Sequence, residues 1–210
     1  MIFFRQNLPS KEKALQGRNE PLCVNNLHHV HQRTIKPPFP KECQLALFGL
    51  GCFWGAERIF WIKDGVYTTA VGYAGGYTPN PTYEEVCSGL TGHAEVVLIV
   101  FDPTKINYLT LLKTFWEGHD PTQGMQQQND IGTQYRSCIY TYNEAQKELA
   151  TNTKNRYGEI LTASNKLDIT TEIKEANTFY YAEDHHQQYL SKNPGGYCGL
   201  GSTGFCLEMK

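Results

Sequence analysis

The sequence predicts an α+β fold, a two-layer sandwich in which helices pack on a mixed β-sheet. Between residues 45 and 193, short runs of β-branched and aromatic residues alternate with amphipathic stretches of helical spacing. The alternation is imperfect, which favours a two-layer sandwich over a doubly wound parallel sheet. With 40% hydrophobic residues, the chain of 210 residues can bury one substantial core.

The first half of this region contains five predicted elements. An apolar run at 45–51, bounded by glycines, predicts a buried strand, and apolar residues at helical spacing predict a helix over 52–63. β-branched and aromatic residues predict a strand over 66–73. Thr and Glu at the spacing of a capping box predict a short helix over 82–88. The clearest strand is 94–101, which an Asp-Pro pair ends.

The second half begins with two amphipathic helices. The first spans 107–117, and the second spans 143–157 and is expected to stop at Gly158. The remaining predicted elements are a polar loop over 118–134, strands over 135–140 and 169–173, and a helix over 182–190.

Both ends of the chain differ from this central domain. Prolines interrupt residues 1–44, which predicts an irregular N-terminal extension. Its three histidines, His28, His29 and His31, suggest a metal, but no fourth ligand is evident, so a solvated or wrapping arm is the favoured interpretation. Five of the twelve residues from 195 to 206 are glycine, which predicts a flexible tail over 194–210.

Composition excludes several classes of protein. The 19 basic and 21 acidic residues nearly cancel, which disfavours a nucleic-acid binder. No apolar run reaches the roughly 18 residues of a membrane span, and no signal peptide is evident at residues 1–5, so we expect a cytoplasmic protein, by default a monomer. Seven cysteines without a Cys-x-x-Cys pair disfavour a disulfide framework and a structural zinc site.

Cysteines carry the first functional signal. Cys52 follows a strand and a glycine and opens a helix, whose free N–H groups favour an anion there, so a lowered thiol pKa and a nucleophile are expected. Cys198 and Cys206 lie in the Gly-rich tail, where a structural cysteine has little use. A mobile thiol that can reach a fixed one suits a resolving cysteine.

Polar and aromatic residues near element boundaries suggest the rest of a site. Glu95 opens an apolar strand, where partial burial would raise its pKa and let it act as a proton donor, although a solvated glutamate is the more usual finding at the end of a strand. Tyr83 and Tyr135 can donate hydrogen bonds to a departing oxygen. Phe53 and Trp54 directly follow the expected nucleophile, although core packing is the favoured explanation for all four aromatic residues on these positions alone.

Nine short segments occur in one order along residues 17–206 and together form a specific pattern. They are 51–55 (GCFWG), 72–76 (GYAGG), 81–83 (PTY), 86–89 (VCSG), 91–95 (TGHAE), 134–137 (QYRS), 179–180 (FY), 186–190 (HQQYL) and 196–199 (GYCG). In these segments the chain resembles the peptide methionine sulfoxide reductase A family. The resemblance implies a sandwich of ferredoxin-like type. It also implies reduction of the S epimer of methionine sulfoxide, free or in proteins, with a thioredoxin-type external reductant and no metal or organic cofactor.

The resemblance also implies a role for each candidate residue. Those roles are Cys52 as nucleophile, Cys198 and Cys206 as successive recycling cysteines, Glu95 as proton donor, Tyr83 and Tyr135 as donors to the sulfoxide oxygen, Phe53 and Trp54 as the pocket for the S-methyl group, and Asp130 as a polar residue at the site. The other four cysteines receive no catalytic role.

Two alternatives stay open at this point. Cys52 paired with His93 or His186 as a base would suit an acyl-transfer enzyme, which has no use for the tail cysteines. A reversible disulfide between Cys52 and Cys198 without sulfoxide consumption would suit a redox-sensing module.

Overall fold

The computed structural model describes residues 7–208. The expectation about a signal peptide at residues 1–5, and the outermost parts of the predicted arm and tail, fall outside the described residues. The helices are α1 (Phe53–Trp61), α2 (Tyr83–Cys87), α3 (Tyr108–Gly118), α4 (Glu144–Ala163) and α5 (Tyr189–Lys192). The strands are β1 (Gln44–Leu50), β2 (Val66–Ala74), β3 (Ala94–Phe101), β4 (Gln126–Gln127), β5 (Asp130–Ile131), β6 (Ser137–Thr141), β7 (Glu172–Glu175) and β8 (Tyr180–Tyr181).

Six strands form the main sheet, in the order β7-β6-β1-β3-β2-β8. Neighbouring strands are antiparallel except β6 and β7, which are parallel, so the sheet is mixed as predicted. β4 and β5 pair separately as a small hairpin within the predicted loop. The sequence therefore predicted the α+β class correctly.

The two faces of the sheet are covered differently. Alternate residues of β1 and β3, such as Phe48 and Ile99, pack with α1, α3 and α4 in the main core. The residues between them, such as Leu47 and Leu98, face the other side and pack with Phe179. The irregular N-terminal arm extends this second layer, where its Val24 and Ile35 are buried.

A tight connection joins β1 to α1. Gly51 has a φ of +100°, and a Cβ at this position would lie 2.6 Å from the Cβ of Gln127. Only glycine satisfies both the positive φ and the close approach. The turn brings Cys52 to the N-cap of α1, beside the start of β3.

Two predictions about helices are wrong. α4 continues past Gly158 to Ala163, because the side chain of Leu161 is buried in the core. No neighbouring atom lies closer than 3.8 Å to the position of a Cβ at Gly158, so nothing forces the helix to end there. Burying a leucine contributes about 2 kcal/mol, which exceeds the cost of about 1 kcal/mol for a glycine within a helix.

The predicted helix over 182–190 is largely absent. β8 precedes it, residues 184–188 form turns, and only Tyr189–Lys192 is helical. The side chain of Gln187 bonds the backbone N–H and carbonyl of Val71, and Gln188 has a φ of 48°. These tertiary hydrogen bonds replace the helical ones. The last predicted strand is also displaced, from 169–173 to Glu172–Glu175.

Candidate active site

Cys52 and Glu95 meet at the N-terminus of α1. Cys52 is the N-cap residue and is buried. The backbone N–H of Phe53, the first residue of the helix, donates a hydrogen bond of 2.9 Å to Oε2 of Glu95. Glu95 is the second residue of β3 and is 1% exposed. A buried carboxyl group therefore lies beside the residue that follows the thiol.

Burial raises the pKa of the Glu95 carboxyl to about 8. The hydrogen bond from Phe53 opposes this shift, whereas the negative charges of Asp130 and Glu183 add to it. Glu95 is consequently protonated at neutral pH. This agrees with the direction expected from its place at the head of an apolar strand.

The lowered pKa expected for the Cys52 thiol is not found. Burial raises the pKa of Cys52 well above its usual range, and the charge of Glu95 raises it further. Hydrogen bonds from the backbone of the first helical turn, that of Trp54 foremost, lower it only in part. The helix N-terminus acts in the expected direction, but desolvation is the larger effect.

Tyr83 and Tyr135 lie near the same carboxyl group. Burial raises the pKa of each phenol above its ordinary value, and the charge of Glu95 is the second cause for both. Tyr83 begins α2, and Tyr135 ends a 3-10 turn before β6. Both hydroxyls are therefore neutral donors close to Glu95.

Trp54 and Phe53 are held by an aromatic cluster. The indole of Trp54 stacks on Tyr189 with ring centroids 3.9 Å apart, and its Nε1 donates a 3.0 Å hydrogen bond to Nδ1 of His186. Phe53 is 1% exposed and packs against His186 and Tyr73. Trp54 is partly exposed, so it can contact a bound ligand, whereas Phe53 supports it from the core.

Asp130 lies on the other side of the site, in contact with the tail. Its Oδ1 accepts a 3.3 Å hydrogen bond from the hydroxyl of Tyr197, and its Oδ2 is buried without a partner. Cys198, the residue after Tyr197, is exposed, and its Sγ lies 3.4 Å from Nη2 of Arg58. The structure thus brings Cys198 to α1.

Cys206 lies farther along the tail and is exposed. Beside it, the N–H of Leu207 donates to Glu117 and the Leu207 carbonyl accepts from Lys113, which fixes this end of the tail on α3. Within residues 7–208 all seven cysteines are free thiols. The structure therefore shows the tail packed on the body, whereas its predicted flexibility stays a prediction.

Residues 44–206 match the model of the family described as peptide methionine sulfoxide reductase. This stretch is most of the chain. The chain belongs to the peptide methionine sulfoxide reductase family. The resemblance found in the short sequence segments is thereby confirmed.

Individual reductases of this family are similar over nearly the whole chain. The enzyme MsrA of Ectopseudomonas mendocina is 64% identical over 200 residues, which cover 95% of this chain and 91% of that protein. The solved structure of methionine sulfoxide reductase A of Corynebacterium diphtheriae has a TM-score of 0.86 at 44% identity, and covers 95% of this chain and 97% of that one. Reduced Mxr1 of Saccharomyces cerevisiae has a TM-score of 0.72 at 34% identity, covering 81% and 95%.

In this reductase the two histidines considered as bases for acyl transfer bond groups other than Cys52, although Nε2 of His186 has no hydrogen-bond partner among the described residues. The Nδ1 of His93 accepts from the N–H of Gly76, and its Nε2 bonds the carbonyl of Thr78. His186 accepts from Trp54, and burial lowers its pKa to about 4. Neither ring pairs with Cys52, so the geometry does not support acyl transfer.

Two carboxylates near the site were not among the predicted site residues, the half-buried Glu183 and the fully buried Glu57. Glu183 accepts hydrogen bonds from the Tyr73 hydroxyl and from the backbone N–H of Tyr83. Glu57 is fully buried and accepts bonds from Thr69 and Gln188. A carboxylate on the apolar face of α1 is the sequence signal that points to Glu57.

No metal or membrane feature was found among the described residues. Within residues 7–208, no three His, Cys, Asp or Glu side chains are grouped as a metal site would require. In the same range, no helix is both long and apolar enough to cross a membrane.

Proposed function

We propose that this reductase converts the S epimer of methionine sulfoxide, free or in proteins, to methionine through a sulfenic acid on Cys52. One observation carries the proposal. A buried carboxyl group with a raised pKa, Glu95, is hydrogen-bonded to the first N–H of the helix that Cys52 caps. In this proposal Glu95 is the proton donor and Cys52 the nucleophile, and the proximity of the two residues supports these roles.

The first step transfers the oxygen atom. Glu95 donates its proton to the sulfoxide oxygen, with Tyr83 and Tyr135 as further hydrogen-bond donors, which makes the sulfur electrophilic. The sulfur of Cys52 attacks, and the thiol proton passes to the Glu95 carboxylate. Cys52 ends as a sulfenic acid and methionine leaves, so the sulfoxide is reduced by two electrons and the cysteine is oxidised by two.

The raised pKa of Cys52 fits this sequence. The charge of Glu95 is the second cause of the raised thiol pKa, and a protonated Glu95 carries no charge. As Glu95 gives up its proton to the sulfoxide, it becomes the base that accepts the proton of Cys52. Both groups thus start neutral, and the proton that leaves the carboxyl is replaced from the thiol.

The tail completes the cycle in this proposal. The thiol of Cys198 attacks the sulfenic acid of Cys52, a disulfide forms, and water leaves. Cys206 then attacks Cys198, which moves the disulfide to Cys198 and Cys206 and frees Cys52. The exposure of both tail cysteines supports this step.

A dithiol protein of the thioredoxin type then reduces the tail disulfide. Yeast Mxr1 has been solved in complex with Trx2. We further propose that the protein acts as a monomer in the cytoplasm, without a metal or organic cofactor. The roles of Phe53 and Trp54 as the S-methyl pocket and of Asp130 as a polar site residue belong to the same proposal.

An epimer-resolved assay tests this function. Enzyme, thioredoxin and its reducing system are mixed with each epimer of methionine sulfoxide, and methionine is measured by chromatography. The expected result is methionine from the S epimer alone, lost in Cys52→Ser and retained in the control Cys23→Ser, an exposed cysteine of the arm. Turnover of neither epimer by folded, reduced enzyme would refute the proposal, and a reversible disulfide without methionine would favour a redox sensor.

A further inference from the structure

The tail meets α1 at a point that only glycine permits. A Cβ at Gly55 would lie 2.8 Å from Sγ of Cys198 and 3.0 Å from Cγ of Leu200. A contact below 3.0 Å requires atoms to move, so a larger residue at this position would displace the sulfur of Cys198 or the segment that carries it. Gly55 is three residues after Cys52, within one helical turn. The absence of a side chain therefore lets Cys198 lie against the turn that carries the nucleophile.

Arg58, on the same helix, contacts the same sulfur. Its side chain is exposed, and its Nη2 lies 3.4 Å from Sγ of Cys198. Guanidinium groups bind anions through N–H donors and a permanent positive charge. Arg58 can therefore orient the sulfur and stabilise negative charge that develops on it.

The opposite side of the tail is held as well. Tyr197 donates to Asp130, and Gly199 lies so close to the carboxylate of Asp130 that a Cβ there would collide with it. Residues 197–200 consequently pass between Asp130 and α1. We call the groove between Asp130, Gly55 and Arg58 the tail slot.

We infer that the tail slot holds Cys198 beside Cys52 before the sulfenic acid forms, and that Gly55 and Arg58 thereby set the rate of disulfide formation. This inference rests on the proposed function of Cys198. In the step concerned, the sulfur of Cys198 bonds to the sulfur of Cys52 and the S–O bond of the sulfenic acid breaks. The oxygen leaves as water with the hydrogen of the Cys198 thiol and that of the sulfenic acid.

The physical reason is effective concentration. A tail with five glycines between residues 195 and 206 has many conformations when it is free, and few of them bring Cys198 to α1. A slot that fixes residues 197–200 means that the loss of conformational entropy has already occurred before the reaction begins. Holding two reacting groups in place can accelerate their reaction by orders of magnitude, and a misplacement of about 1 Å can cost about 10²-fold.

Gly55→Ala tests the slot, with Gly158→Ala as the matched control. Both are glycines within helices, but a Cβ at Gly158 would meet only Ile169, at 3.8 Å, and no atom of the tail within 4 Å. Reduced enzyme is mixed with methionine S-sulfoxide in a rapid-quench experiment. Methionine, the disulfide between Cys52 and Cys198, and the sulfenic acid trapped by dimedone are measured over time.

The slot predicts a separation of two rates in Gly55→Ala. Methionine should form at close to the wild-type rate, whereas the disulfide should form about 10- to 100-fold more slowly, with sulfenic acid accumulating. Gly158→Ala should match the wild type in both rates. Disulfide formation at the wild-type rate in Gly55→Ala would overturn the role of Gly55. Absence of methionine from wild-type enzyme would instead refute the proposed function.

Arg58 provides a second, independent test at an exposed position that should not affect folding. Arg58→Met should slow disulfide formation about tenfold at neutral pH, and Arg58→Lys should restore part of the rate because it keeps the positive charge. Equal disulfide rates in wild type, Arg58→Met and Arg58→Lys would overturn the role of Arg58.

Discussion

Glu95→Gln keeps the shape of the buried side chain and its acceptor for the Phe53 N–H but removes its titration. The folded-state pKa of Glu95 is about 8, against an ordinary value of 4.5. Between these values the folded protein holds a proton that the unfolded chain has lost, so the free energy of unfolding falls as pH rises. The slope for one group is about 1.4 kcal/mol per pH unit.

The wild type should therefore lose about 4 kcal/mol of stability between pH 5 and pH 8 because of Glu95 alone. Glu95→Gln lacks this loss, so its stability relative to the wild type should rise by about that amount over the same interval. Glu57, whose pKa burial raises to about 7, is present in both proteins and cancels from the difference.

Urea unfolding of both proteins at pH 5, 6.5 and 8 measures this difference. The same variant should lose activity by about 10²- to 10⁴-fold, because no proton donor remains for the sulfoxide oxygen. The exposed Glu84→Gln on α2 serves as the activity control and should retain wild-type turnover. If the free energies of unfolding of the wild type and Glu95→Gln change by the same amount from pH 5 to pH 8, the claim that Glu95 is held protonated is refuted.

Further predictions concern residues around the site and in the sheet. Glu57→Gln should lower the free energy of unfolding in urea by about 1–3 kcal/mol, because one of the donors on Gln188 and Thr69 loses its acceptor. It should also raise KM, because the segment that orients Trp54 loosens. An unchanged KM would contradict the effect on Trp54. Arg136→Met should cost about 1–3 kcal/mol, measured in the same way, because the buried carbonyls of Thr133 and Gly92 lose their donor, while Lys174 still pairs with Glu172. Trp54→Ala should raise KM more than it lowers kcat, since the partly exposed indole is the proposed wall of the S-methyl pocket, and an effect on kcat alone would argue against that position.

Local sequence signals predicted the elements that local forces determine. The capping box at Thr82 and Glu85 is present, and β3 spans 94–101 as predicted. α4 and the segment before α5 were predicted wrongly because their boundaries depend on tertiary contacts. Burial of Leu161 carries the helix past Gly158, and Gln187 replaces helical hydrogen bonds with bonds to β2. The periodicity of a single segment carries no information about either of these tertiary contacts.

In the site, too, features set by local sequence were predicted and features that depend on tertiary contacts were not. A cysteine that follows a strand and a glycine predicted the N-cap position of Cys52, and the apolar strand predicted the raised pKa of Glu95. The pKa of Cys52 was expected to fall, since the sequence shows the helix N-terminus but not the depth of burial. The contact between Cys198 and Gly55 joins residues far apart in sequence, so it could be found only from the folded structure of the tail.

The thiol relay from Cys52 through Cys198 to Cys206 is the central claim, and counting methionine in the absence of external reductant tests it most directly. Reduced wild-type enzyme should form a first methionine, move the disulfide to the tail, and form a second on the freed Cys52. Cys206→Ser should stop after one, with the disulfide left between Cys52 and Cys198. Equal yields of one methionine from both proteins would contradict the transfer to Cys206, and no methionine from the wild type would contradict the role of Cys52.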